Sequence, residues 1–171
     1  MLSPTARRRL GAADLAWSDA LRARLDGAGI VRRAAILAAR SGDGWLVLPI
    51  VLACWPLGAR AVLSLAICIV ATAVVVFALK FSIRRSRPEG EWGGGYRRFD
   101  PHSFPSGHAA RVGAMATFVA LVGPWPLAIA VAAWACAVAF SRVALGVHYV
   151  SDVVAGVALG IVMGAGTVLL I

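Results

Sequence analysis

Ala61-Val-Leu-Ser-Leu-Ala-Ile-Cys-Ile-Val-Ala-Thr-Ala-Val-Val-Val-Phe-Ala-Leu79 runs 19 residues without a charge, between Arg60 and Lys80. A helix needs about 20 mostly apolar residues to cross the hydrocarbon of a bilayer, where every backbone polar group must be satisfied within the segment. The stretch therefore reads as a transmembrane helix. It sets the class of the whole chain, because 60% of the 171 residues are apolar and the other apolar runs are of the same kind.

Working outward, residues 45–57 are apolar but short, interrupted by Pro49 and Pro56, and reach across a membrane when extended toward Arg60. Residues 80–107 form a long polar connection rich in Gly, Arg and Pro. The apolar pattern resumes over 109–122, turns at Gly123-Pro124-Trp125-Pro126, returns over 127–140 and ends with 153–171. The expectation is an all-α polytopic transmembrane bundle of about five spans. Residues 1–43 differ: Leu15, Trp17, Leu21 and Leu25 interleave with Arg22 and Arg24, and Ile30, Ile36 and Leu37 with Arg32, Arg33 and Arg40. That pattern predicts two amphipathic helices on the membrane surface, broken at Gly27 and Gly29. The chain thus divides into surface helices over 1–43 and a transmembrane domain over 44–171.

Seventeen basic against eight acidic residues give a net charge of +9. On a soluble chain this would suggest nucleic acid, but the sole lysine is Lys80 and the arginines lie between apolar runs, so no nucleic-acid partner is expected. Such charge suits anionic head groups and the positive-inside bias. Cys54, Cys68 and Cys136 lack metal-ligand spacing and read as buried thiols. Arg7, Arg8 and Arg9 are followed by no long apolar core, so no signal peptide is read. Gly156, Gly160 and Gly164 recur every four residues in the last span and are expected to pack another helix of the same chain, in preference to a homodimer interface.

The chemistry lies in Ser141-Arg-Val-Ala-Leu-Gly-Val-His148-Tyr-Val-Ser-Asp152, which sets Arg142, His148 and Asp152 between two apolar runs. If Asp152 sits one helical turn beyond His148, its carboxylate takes the Nδ1 proton and leaves Nε2 as a nucleophile or base. Arg142 adds a cation whose planar fork fits two phosphate oxygens. Two further stretches stand beside it: Lys80-Phe-Ser-Ile-Arg-Arg-Ser-Arg87-Pro88 and Pro105-Ser106-Gly107-His108. The second span ends at Lys80, the third starts at His108, the fourth ends at Arg142 and the fifth follows His148, so all four ends share one side.

Taken in order, these three stretches resemble the signature of the type 2 phosphatidic acid phosphatase superfamily, over residues 80–152. The resemblance implies an integral membrane lipid phosphatase that needs no metal or other cofactor. His148, oriented by Asp152, attacks phosphorus to give a phosphohistidine, and His108 protonates the leaving oxygen. Lys80, Arg87 and Arg142 bind the phosphate, where charge builds on the equatorial oxygens. Ser106 offers a hydroxyl, and Gly107 lets its backbone N–H approach. The first 43 residues lie outside the resemblance.

The other polar residues carry plainer expectations. His102 reads as a loop histidine, Arg84, Arg85, Arg97 and Arg98 as a solvated basic rim, and Trp92 and Tyr96 as interface anchors. Sixteen of the 17 Lys and Arg fall on the site-bearing side; with Lys80, Arg87 and Arg142 set aside, thirteen remain against Arg60 alone. The positive-inside rule then puts the catalytic face in the cytoplasm. That face would favour a biosynthetic lipid phosphate such as phosphatidylglycerophosphate or decaprenylphosphoryl ribose phosphate, and an outward face undecaprenyl diphosphate. A vanadate-dependent haloperoxidase shares the phosphate-binding residues but not the small size and spans; a non-enzymatic transporter or scaffold does not account for the clustered histidines and cations.

Overall fold

The computed structural model describes residues 4–23, 29–88 and 100–169. They form seven α-helices: α1 (Pro4–Ala23), α2 (Gly29–Ser41), α3 (Gly44–Ala53), α4 (Ala59–Ile83), α5 (Gly107–Val122), α6 (Trp125–Ala144) and α7 (Val150–Val168). A 3-10 turn, Trp55–Leu57, joins α3 to α4, and the described residues contain no strand beyond one bridge between Ser86 and His102. The fold is all-α, as the sequence pattern predicts. Of the two glycines expected to break α1 from α2, Gly29 begins α2, while Gly27, like Trp92, Tyr96, Arg97 and Arg98, lies outside the described segments.

Among the described residues, three helices are long and apolar enough to cross a membrane: α4, α6 and α7. Their length and apolar composition mark an integral membrane protein. α5 has 16 residues and α3 has 10. At 1.5 Å per residue α3 rises only about 15 Å, half the hydrocarbon thickness, so residues 45–57 do not make a helix of spanning length by themselves. The sequence gives the reason, since Pro56 stands at the start of the 3-10 turn and Gly58 takes φ 94°, ending one helix and starting the next.

Ala35 and Ala39 pack against Leu145, Trp134 Nε1 donates to Ser41 Oγ at 2.8 Å, and Val47 and Val51 share a cluster with Val131. The numbers on α2 rise as those on α6 fall, so α2 runs antiparallel along α6, and after the break at Gly42 and Asp43 α3 packs with α4. A Cβ on Gly42 would come within 2.6 Å of the Val138 side chain and 3.3 Å of the His108 ring. The break therefore places Asp43 beside the start of α5.

α5 is the centre of the bundle. Ala109, Ala110, Val112, Gly113, Ala114, Met115, Phe118 and Val119 are buried, which covers every face of the helix. Its most extensive partner is α7, and the approach is set by glycine. A Cβ on Gly156, Gly160 or Gly164 would fall 2.5, 2.3 and 2.6 Å from the carbonyl oxygens of Ser106, Ala110 and Ala114. The stripe thus serves packing within the chain, with backbone against backbone. At the top of this contact Ser106 N donates to Asp152 O at 2.9 Å, tying the starts of α5 and α7 together. Cys54 and Cys68 are buried as expected, whereas Cys136 is exposed on the outer face of α6.

Candidate active site

The segment from Leu145 to Tyr149 turns the chain from α6 into α7. His148 N and Val147 N both donate to Arg142 O at 3.1 Å, and Gly146 adopts φ 65°, a left-handed conformation that side chains disfavour. The tight turn holds His148 at 2% exposure above the last turn of α6, which carries Arg142 at 1%.

Hydrogen-bond direction fixes the state of the His148 ring. Arg87 Nη1 lies 3.1 Å from His148 Nε2 and donates also to Val147 O at 2.9 Å. A guanidinium can only donate, so Nε2 accepts, and the single proton of the neutral ring sits on Nδ1. That nitrogen faces Asp152 Oδ2 at 3.5 Å, longer than a good hydrogen bond. Burial pushes His148 down to about 4, reinforced by Arg87 and Arg142 and opposed by Asp152. At neutral pH the ring is uncharged, with its reactive lone pair on Nε2.

Around that atom lies a cavity of about 290 Å³ lined by Lys80, Arg87, Gly107, His108, Arg111, Arg142 and His148, with Val76, Phe77 and Phe81 as an apolar wall. Six of the eight residues singled out in the sequence thus line one cavity. The other two stand behind it. Asp152 is fully buried, and Ser106, also fully buried, is the N-cap of α5, its Oγ accepting from Ala109 N at 3.5 Å. A capping hydroxyl keeps its own hydrogen as a donor.

The cations are brought in by backbone and carboxylate contacts. Lys80 Nζ, in the last turn of α4, donates to Asp100 Oδ2 at 2.6 Å and to His102 O at 2.7 Å. Arg87 Nε donates to Asp100 O at 2.7 Å, and its Nη2 pairs with the same Asp100 Oδ2 at 2.8 Å. One carboxylate oxygen thus bridges two of the expected phosphate-binding cations. His102 enters through its carbonyl, while its ring meets the edge of Phe81 with centroids 5.6 Å apart.

Besides Asp100, three residues were missed or misread in the sequence. Arg111 lines the cavity and donates to Gly42 O at 3.1 Å. Asp43 Oδ1 accepts from His108 Nε2 at 3.0 Å, which puts a proton on Nε2 and orients the ring. Asp43 lies 65 residues from His108, and no local spacing signals the pair. Arg85 is not a solvated rim residue: it donates to Asp152 Oδ1 at 2.8 Å and to Asp14 Oδ2 at 2.6 Å. Its neighbour Arg84 is exposed, in the left-handed C-cap position of α4. If Asp43 orients His108, replacing it by Asn frees the ring to take the other tautomer; turnover is expected to fall by about a hundredfold with little change in KM, checked by steady-state kinetics.

The PAP2 superfamily matches residues 61–171, from α4 to the end of the chain. The chain belongs to the PAP2 superfamily. Lipid A 1-phosphatase of Rhizobium etli is 42% identical over 91 residues, covering 48% of this chain and 38% of the relative. Decaprenylphosphoryl-5-phosphoribose phosphatase of Mycobacterium tuberculosis is 44% identical over 63 residues, covering 37% of this chain and 34% of the relative. The chain thus spans little more than a third of the length of these curated relatives. Among solved structures, Aquifex aeolicus LpxE superposes with a TM-score of 0.76 at 22% identity, over 90% of this PAP2 chain and 93% of its own. The Bacillus subtilis transmembrane PAP2 type phosphatidylglycerolphosphate phosphatase gives 0.74 at 24% identity, over 95% and 86%. These two share the fold of this PAP2 protein.

Proposed function

We propose that this PAP2 protein is an integral membrane lipid phosphatase that hydrolyses a phosphomonoester or diphosphate of a phospholipid or polyprenyl lipid through a phosphohistidine on His148. One observation carries the reading: a neutral histidine points its unprotonated Nε2 into a cavity holding Lys80, Arg87 and Arg142. Nε2 attacks phosphorus as the bond to the lipid oxygen breaks, the three cations meet the charge spread over the equatorial oxygens, and His108, entering the step as the imidazolium with its Nε2–H held by Asp43, gives its Nδ1 proton to the leaving oxygen and returns to the neutral ring. Water then attacks the phosphohistidine, surrendering a proton to His108, and inorganic phosphate leaves with Nε2 free again.

The lipid character of the substrate is supported by the surroundings of the cavity. Ala73, Phe77 and Arg111 also line an adjoining groove of about 480 Å³, whose other walls are Gly44, Val47, Ile69, Val70 and Val74. The groove runs between α3 and α4, and its apolar walls suit a hydrocarbon chain whose phosphate reaches inward. The relatives named as acting on lipid A and on decaprenylphosphoryl-5-phosphoribose point to the same class. The catalytic face is cytoplasmic in this reading, since the basic residues outside the phosphate site lie on the site-bearing side except for Arg60. Residues 44–171 form the phosphatase body, with the helices of 1–43 docked on it.

The test is phosphate release by purified protein in detergent with EDTA, from phosphatidic acid, phosphatidylglycerophosphate and a polyprenyl diphosphate. Chelator-resistant turnover of at least one is expected. A well-folded protein that releases phosphate from none of them would overturn the reading.

A further inference from the structure

α7 begins with Tyr149 at the N-cap, where Ser, Thr, Asp or Asn is the common choice; Asp152 Oδ2 accepts from Tyr149 N at 3.0 Å, which leaves the N–H groups of Val150 and Ser151 to be met from elsewhere. α1 supplies the missing acceptors from outside. Asp14 Oδ1 accepts from Ser151 N at 3.0 Å, and Ser18 Oγ accepts from Val150 N at 3.2 Å. Leu21, one turn further on, packs with Ala109, Val143 and Val153, and the Arg22 guanidinium lies over Gly146, where a Cβ would come within 2.7 Å of it. One face of α1 is therefore fitted to the loop that carries His148, while Trp17 on another face is 72% exposed.

The same carboxylate reaches the reacting histidine through one arginine. Asp14 Oδ2 accepts from Arg85 Nη2 at 2.6 Å and from Ser151 Oγ; Arg85 Nη1 donates to Ser151 Oγ at 2.7 Å and to Asp152 Oδ1 at 2.8 Å. The Arg85 guanidinium also rests 4.0 Å above the Tyr149 ring. Asp152 is thereby held at both oxygens, Oδ1 by Arg85 and Oδ2 by Tyr149 N at 3.0 Å. A carboxylate fixed at both ends cannot rotate, and the oxygen that remains toward His148 Nδ1 is always Oδ2.

We infer that Asp14 and Arg85 are positioning residues for the phosphatase reaction, so that docking of α1 onto the start of α7 sets the orientation of the His148 nucleophile. Neither touches the cavity around Nε2, and Asp14 lies outside residues 61–171 that match the family. The inference rests on the reading of His148 as nucleophile and Asp152 as its orienting partner.

The test is a double-mutant cycle on the full chain in mixed micelles, with phosphatidic acid as the probe and melting temperature as a check on folding. Asp14→Asn is expected to lower kcat by about ten- to hundredfold with KM within about twofold, because a misaligned nucleophile loses rate and not binding. In an Asp152→Asn background the same substitution is expected to change kcat by less than about twofold, since residues acting through one partner are not additive. Arg85→Lys, which keeps the charge but cannot bridge two carboxylates, is expected to fall between wild type and Arg85→Gln. An Asp14→Asn enzyme with wild-type kcat, or one losing the same factor in both backgrounds, would overturn the inference. If Asp14→Asn does not fold, the cycle is run with Arg85→Lys and judged by the same outcomes. An Asp152→Asn enzyme with full kcat sinks the dyad itself, and that result is visible from the single variant alone.

Discussion

His148→Ala is expected to lower phosphate release by at least about a thousandfold, because loss of a covalent nucleophile removes the first chemical step and not merely a binding contact. The substitution removes an imidazole that is neutral at pH 7, its Nε2 held 3.1 Å from Arg87 Nη1 and its Nδ1 facing Asp152. Binding should survive. Lys80, Arg87 and Arg142 remain in place, so KM, or the inhibition constant of a non-hydrolysable phosphonate, should change far less than kcat. His148→Gln offers a better-filled variant of the same test. Wild-type turnover by either protein would remove His148 from the chemistry.

The second large effect concerns the fold. Gly160→Leu is expected to abolish the folded protein, and Gly160→Ala to lower the melting temperature by about 5–10 °C, a typical result of overpacking by a few kcal/mol in a chain of this size. The Cβ would stand 2.3 Å from Ala110 O, 2.7 Å from Ala114 N and 3.0 Å from Gly113 C. All are backbone atoms of α5, so no rotamer change relieves the clash and the two helices must part. Because Ser106 N is tied to Asp152 O across the same contact, their separation also loosens the site. Gly166 provides the control: it lies on the same helix with nothing within 4 Å of a Cβ, and Gly166→Ala is expected to be neutral or slightly stabilising. Thermal unfolding in detergent compares the three variants, and equal melting temperatures would show that the close approach of α5 and α7 does not limit stability.

Much of this architecture can be read from local patterns. A charge-free run such as Ala61–Leu79 reports its own burial in lipid, and glycines every fourth residue report a helix surface of low relief. The three site stretches are equally local, since spacing along a turn places His148 against Asp152 and helix ends carry Lys80, His108 and Arg142 to one level. What escaped is non-local. Asp43 meets His108 across 65 residues and Asp14 meets Ser151 across 137, and neither acid stands in a pattern that names its partner. Arg85 was misread because it follows Arg84 directly: the helix ends there in a left-handed residue, which sends one guanidinium to solvent and the other beneath α1. The shortness of α3 had a visible signal in Pro49 and Pro56, but the packing of α2 along α6 depends on tertiary structure alone.

The central claim is that phosphate passes through His148. Its most direct test is rapid quenching of the wild-type protein with a lipid phosphate labelled with ³²P, followed by peptide mapping under alkaline conditions that preserve phosphohistidine. Label on the peptide containing His148, absent from His148→Ala and accumulating in a variant of His108, is the predicted result. Turnover without protein-bound label at any quench time, or label on another residue, would contradict it.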